Sequence, residues 1–261
     1  MVVKGSLGIS KVLHGIMKYR MNEQRNMVEQ FRRGETSDGL QLAQQPLLDL
    51  SILRLSFPVR DNPVPTAVFV TCVDSRMLPT RFTQTNVGDM FIVRNAGNFV
   101  PHSSLVSAGS PATEPAVLEL ACVVNQVKHV VICGHSDCKA VNLLYDLHTD
   151  PAEAAATEQQ TFSPLQNWVT AHGNRTMEEF ARLEAAHFRK PLLLNKLNKK
   201  GEKFPAYVDV DEKFSATDKL SMVNTLMQME NVTSYPFMRQ MKNGRIHIHA
   251  FWYSILMLNV S

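Results

Sequence analysis

The sequence predicts an α/β fold, a mostly parallel central sheet flanked by helices. Three observations lead there. Three short runs are rich in β-branched and aromatic residues: residues 67–72, 90–94 and 129–133. Each run ends at a polar or glycine-containing turn. Segments with helical spacing of apolar residues separate the runs and follow the last of them. Apolar strands that alternate with helices are the mark of a parallel sheet, and such sheets bind ligands beyond the carboxyl ends of their strands.

The elements follow in order. Residues 10–33 read as a helix, ended by Gly34 and the polar run Glu35-Thr36-Ser37-Asp38-Gly39. Pro63 and Pro65 stiffen the approach to the first strand, 67–72. A short helix is expected over 78–85, a turn at Asn86-Val87-Gly88-Asp89, and the second strand over Met90–Arg94. Asn95-Ala96-Gly97-Asn98 is a glycine turn, and 99–113 reads as loop. Pro115 suits the first turn of a helix over 115–127, with Ala116, Leu120, Val123, Val124 and Val127 as its buried stripe. The third strand is His129–Cys133, and Lys139–Leu147 is the helix after it. Helices are expected at Pro151–Gln160, Pro164–Thr170, Thr176–His187 and Asp218–Glu230, with a short one from Tyr235-Pro236. Residues 198–214 read as loop, and Arg245–Trp252 alternates like a strand. No repeat or linker divides the chain, so a single domain over 1–261 is expected.

Composition narrows the function. Hydrophobic residues make up 44% of the 261, enough for a sizeable core, and a net charge of +3 without a dense basic run argues against nucleic acid. Apolar runs are too short to span a membrane. The four cysteines, Cys72, Cys122, Cys133 and Cys138, come without a visible signal peptide, so reduced thiols in an intracellular protein are expected. Residues 1–22 carry Lys4, Lys11, Lys18 and Arg20 and no acid. That pattern fits a mitochondrial targeting segment and a plain amphipathic helix about equally well.

Two strand-end clusters carry the chemistry: Cys72-Val73-Asp74-Ser75-Arg76 and Cys133-Gly134-His135-Ser136-Asp137-Cys138. Cys72, His135 and Cys138 offer two thiolates and an imidazole, a zinc ligand set that leaves a fourth position for water or substrate. Gly134 is expected to let the chain leave the strand sharply. Asp74 stands close enough to take the fourth position or to guard it. Asp74 and Arg76, two apart, fall on one face if extended, and a guanidinium fork would keep the carboxylate ionised. Cys122, on a helix, and Cys133, inside a strand, read as inert.

These motifs, with Gly88-Asp89 and Arg94-Asn95-Ala96-Gly97-Asn98 between them, resemble the β-class carbonic anhydrases, in the same order and over about residues 10–253. The flavour is that of the animal members. The resemblance implies a carbonate dehydratase, a carbon–oxygen lyase that interconverts CO2 and bicarbonate by zinc-bound hydroxide. It implies Zn2+ on Cys72, His135 and Cys138. Asp74 would either be the fourth metal ligand in a closed state or pair with Arg76 and leave the metal open, so Asp74 and Arg76 are the catalytic candidates. It also implies an N-terminal helical arm (1–33) reaching onto a partner subunit, a homodimer or tetramer, and a mitochondrial-matrix or cytoplasmic location. His102 is a candidate proton relay, or an incidental surface histidine.

The chain departs from the family pattern in places. Pro63, beside Asn62, stands where plant-type members carry a substrate-binding glutamine, and Lys139-Ala140 replaces a glycine pair. The end, 254–261, diverges from the usual Thr-Gly and further strand. Two other readings keep the metal: hydrolysis of a related linear substrate such as carbonyl sulfide or carbon disulfide, and a structural zinc site in a binding protein. A structural site would usually be closed by four Cys or His ligands, whereas the fourth candidate here is an aspartate next to an arginine.

Overall fold

The central strands β1 (Ala67–Cys72) and β3 (His129–His135) are buried along their whole length, as a continuous apolar run in a parallel sheet requires. The computed structural model describes residues 7–22, 65–85, 88–107, 111–150, 163–195, 202–239 and 246–255. β1 lies between β2 (Met90–Asn95) and β3, and β6 (His247–Tyr253) completes a four-stranded parallel sheet in the order β2-β1-β3-β6. Cys72 pairs with Asn95 and Thr71 with Cys133, so the strand ends finish along one edge.

Helices cover both faces. Val68, Val70, Val130 and Ile132 pack under α4 (Lys139–Thr149), α5 (Pro164–Glu184) and α6 (Ala216–Thr233). Phe69, Val131, Cys133 and Tyr253 on the other face meet Tyr19 of α1 (Leu7–Asn22) and Phe82 of α2 (Pro79–Thr83). The rings of Phe82 and Tyr253 stack 5.0 Å apart. Gly15 lets α1 settle onto α2, since a Cβ there would stand 1.5 Å from the Thr83 carbonyl oxygen. No helix among the described residues is long and apolar enough to cross a membrane.

Several expectations change. The first helix is described only over Leu7–Asn22, and its expected continuation to residue 33 lies outside the described residues, as do the helix at 151–160, Pro63 and the divergent end beyond Ile255. The helix expected over 115–127 is α3 (Thr113–Leu118), continued by a wide π turn over Glu119–Val124. Of the expected stripe Val127 is buried, but the rest of the buried face lies opposite to it. Leu118, Ala121 and Cys122 are buried, while Leu120, Val123 and Val124 are 46%, 41% and 67% exposed. The segment is apolar on both sides, so spacing alone does not choose between them. The two helices expected at 164–170 and 176–187 are one, because Gly173 stays helical and makes room for Leu144, whose Cδ2 would lie 2.4 Å from an added Cβ. A hairpin, β4 (Leu192–Asn195) with β5 (Lys203–Ala206), forms where no strand was expected, its second strand inside the stretch 198–214 that read as loop. β3 runs on to His135, so Gly134 is not a point of exit. It is small because a Cβ would meet Thr225 Oγ1 at 2.0 Å.

Candidate metal centre

Three ligand side chains converge where β1 and β3 end. Cys72 is the last residue of β1, His135 the last of β3, and Cys138 caps the start of α4 after a two-residue turn. All three are buried, their ligand atoms lie within 4.8 Å of one another, and the two sulfurs are 3.8 Å apart. The His135 ring turns its Nδ1 to the Ser136 carbonyl at 2.8 Å, so Nδ1 donates and Nε2 is left as a lone-pair acceptor. That Nε2 is buried with no hydrogen-bond partner. An orphaned buried nitrogen is costly, and a cation held with the two sulfurs would satisfy it. The donor set, one imidazole and two thiolates, is one that zinc takes.

The thiols are strongly linked. The hydrogen bond from Cys138 pushes the Cys72 thiol down to about 4, against the opposing effect of burial. The Cys138 thiol, in turn, is raised well above its ordinary value by the bond to Cys72 and by burial. Cys122 and Cys133 are pushed up to about 12 by burial, which keeps them protonated and inert.

Asp74 stands outside the ligand trio. Arg76 grips it bidentately, Nε to Oδ1 at 2.9 Å and Nη2 to Oδ2 at 2.7 Å, and the Arg76 backbone N–H adds a third bond to Oδ1 at 2.9 Å. The segment is a turn and not an extended stretch, and the turn brings the guanidinium back onto the carboxylate two residues earlier. Burial alone would raise the Asp74 carboxyl, but the hydrogen bonds from Arg76 outweigh it and hold the group at about 2. The structure thus brings Cys72, His135 and Cys138 together and ties Asp74 to Arg76 instead of to the trio.

Other residues shape the site without having been singled out from the sequence. Asp137, between the two ligands of the second cluster, accepts from Arg76 Nη1 at 2.9 Å, and its carbonyl accepts from Nη2 at 3.0 Å. Arg76 therefore joins the ends of β1 and β3. Arg94 clamps the first cluster by donating to the carbonyls of Cys72 (3.0 Å) and Asp74 (2.7 Å). From α6, Asp218 accepts from the Asp137 N–H at 2.9 Å and Ser221 donates to the His135 carbonyl at 2.7 Å. Asp137 and Arg94 lie inside the recognised motifs, so a signal existed, whereas Asp218 and Ser221 carried none. His102 accepts from the Ser104 N–H through Nδ1 at 3.2 Å, capping a single turn of 3₁₀ helix at Ser103–Leu105.

Comparison with known proteins agrees with this geometry. The family model for carbonic anhydrases matches residues 67–257. "Beta carbonic anhydrase 1" of Caenorhabditis elegans is 37% identical over 253 residues, covering 95% of this chain and 82% of the relative, and that of Caenorhabditis briggsae is 37% identical over 252 residues with the same shares. Among solved structures, the β-carbonic anhydrase CcaA superposes with a TM-score of 0.57 at 21% identity, covering 97% of this chain and 86% of that one. The Coccomyxa β-carbonic anhydrase in complex with acetazolamide gives 0.52 at 20% identity, covering 78% and 73%. With a family model spanning most of the chain and relatives alike over nearly all of it, the chain belongs to the β-class carbonic anhydrase family.

Proposed function

We propose that this protein is a zinc-dependent carbonate dehydratase in which Cys72, His135 and Cys138 hold the metal and the Asp74–Arg76 pair controls access to its fourth position. The observation that carries the reading is the buried Cys–His–Cys trio, its imidazole Nε2 orphaned, beside a carboxylate that an arginine holds away from it. Bound zinc supplies the Lewis acidity that lets water ionise near neutral pH, toward a pKa of about 7. Two thiolate ligands bring negative charge and work against that acidity. Asp74 remains ionised because Arg76 grips both of its oxygens, and with zinc bound its free lone pairs would accept a hydrogen bond from the attacking hydroxyl group and orient it. Asp137 holds Arg76 from the other side, so the guanidinium keeps a partner if Asp74 turns toward the metal. In such a closed arrangement Asp74 would be the fourth residue to hold the metal.

A homodimer belongs to the same proposal. The exposed apolar side chains Leu120, Val123 and Val124 offer a surface for a second copy of the chain.

The test is zinc content together with stopped-flow CO2 hydration across pH, for the wild type and Cys138→Ser. The expected result is one zinc per chain with hydration activity, both lost in the variant. Zinc-loaded wild type with no hydration at alkaline pH would sink the enzymatic reading.

A further inference from the structure

Gly97 is held on both sides by residues from distant helices. Its backbone N–H approaches Cys72 Sγ at 3.4 Å, and its φ of +87° is one that side chains disfavour. A Cβ there would also meet the Phe99 ring at 2.5 Å. The N–H shares its peptide plane with the carbonyl of Ala96, and that carbonyl accepts from the indole Nε1 of Trp168, on α5, at 2.8 Å. In a planar trans peptide the C=O and N–H point in opposite directions. The indole that holds the oxygen therefore aims the hydrogen, and a bond at the oxygen also strengthens the N–H as a donor.

The next peptide is held from α6. Asn224 Nδ2 donates to the Gly97 carbonyl at 2.9 Å. The Asn224 Oδ1 accepts from Thr176 at 3.2 Å and from Gln228 Nε2 at 2.9 Å, so the amide can present only its NH2 to Gly97. Asn224 and Gln228 are fully buried and tied into this network, which fits a positioning role better than a solvent-facing one. Trp168 is fixed in turn by edge-on packing against Phe99 and His172, with ring centroids 6.3 Å and 4.3 Å away.

We propose that Trp168 and Asn224 are positioning residues that grip Gly97 from either side, present its N–H to the Cys72 sulfur, and thereby set how strongly that thiolate donates to the metal. The inference rests on the zinc reading above. A hydrogen bond to a thiolate draws electron density from sulfur and weakens its donation, which leaves the metal more electrophilic and offsets part of the charge of two thiolate ligands.

The experiment uses the full chain loaded with Co2+, whose thiolate-to-metal charge-transfer band reports sulfur donation directly. Trp168→Phe keeps the ring and removes the donor. Its band is expected to move to longer wavelength than in wild type, and Asn224→Ala is expected to move it in the same direction. Tyr235→Phe, which removes a buried hydroxyl that donates to the Pro101 carbonyl outside this network, is expected to leave the band in place. A wild-type band in both Trp168→Phe and Asn224→Ala, or an equal shift in Tyr235→Phe, overturns the inference while leaving the metal centre standing. Absence of any thiolate band in Co2+-loaded wild type overturns the metal centre and the inference with it.

Discussion

Arg76 makes five hydrogen bonds to just two residues, Asp74 and Asp137, and so joins two strand ends and sets the state of the carboxylate beside the ligand trio. Replacing it frees Asp74 without touching a metal ligand. Arg76→Ala is expected to retain zinc and to lose hydration turnover by roughly 10–100-fold, the usual cost of removing a partner that orients a metal site. Zinc analysis beside stopped-flow assay checks this, and unchanged turnover would refute the role given to the pair. At this scale the ligands were legible because each cluster packs its chemistry into five or six consecutive residues. Asp137 went unassigned because its partner, Arg76, is 61 residues away, and the contact of Trp168 with Ala96 spans 72. Sequence spacing carries no trace of such pairings.

At the level of elements, β3 and β6 bring three histidines together at the start of the sheet. His129 Nδ1 lies 3.2 Å from His249 Nε2, and the His247 ring lies 5.3 Å from that of His129. Burial, with the charges of His129 and His247 adding, pushes His249 down to about 4. A histidine whose folded pKa lies below its unfolded value of about 6.5 favours the native state when neutral. Its contribution is present in full above pH 6.5 and is lost as pH falls from 6.5 toward 4, because only the unfolded chain takes up the proton in that window. Discounted for partial exposure, the contribution is about 1–2 kcal/mol. Urea titrations at pH 7.5 and pH 5 measure it: His249→Gln is expected to lose less stability than wild type between the two. An identical loss in both proteins would show that His249 is not the group responsible. The strands were the most legible elements, since β1 and β3 are built around runs of β-branched and aromatic residues and are buried end to end. The face of α3 was not, because apolar side chains lie all round it. The β4–β5 hairpin was hidden by a proline, a lysine and an exposed leucine within eight strand residues.

For the whole molecule, the exposed stripe on the turn after α3 should decide the state of assembly. Val124 is 67% exposed and makes a clean target. Val124→Asp is expected to yield monomers by light scattering at micromolar concentration with zinc content unchanged. A dimer in that variant places the interface elsewhere. The α/β architecture was legible as a whole from the alternation of strands and helices, but which copy meets which surface is not a property that hydrophobic spacing encodes. The sulfurs of Cys72 and Cys138 lie 66 residues apart in sequence and 3.8 Å apart in space. An ion that joins them closes a loop of that length, much as a disulfide would, and in the chain-entropy account closure alone is worth about 4 kcal/mol. Stripping zinc with a chelator is therefore expected to lower the melting temperature by roughly 10 °C, before any loss of direct bonding is counted. Differential scanning calorimetry of the loaded and chelated protein measures this, and an unchanged melting point would mean that the metal does not span the two strands. An ion held there would be a clasp as well as a reagent, and starving a cell of zinc would then thin out the folded protein as well as silence it.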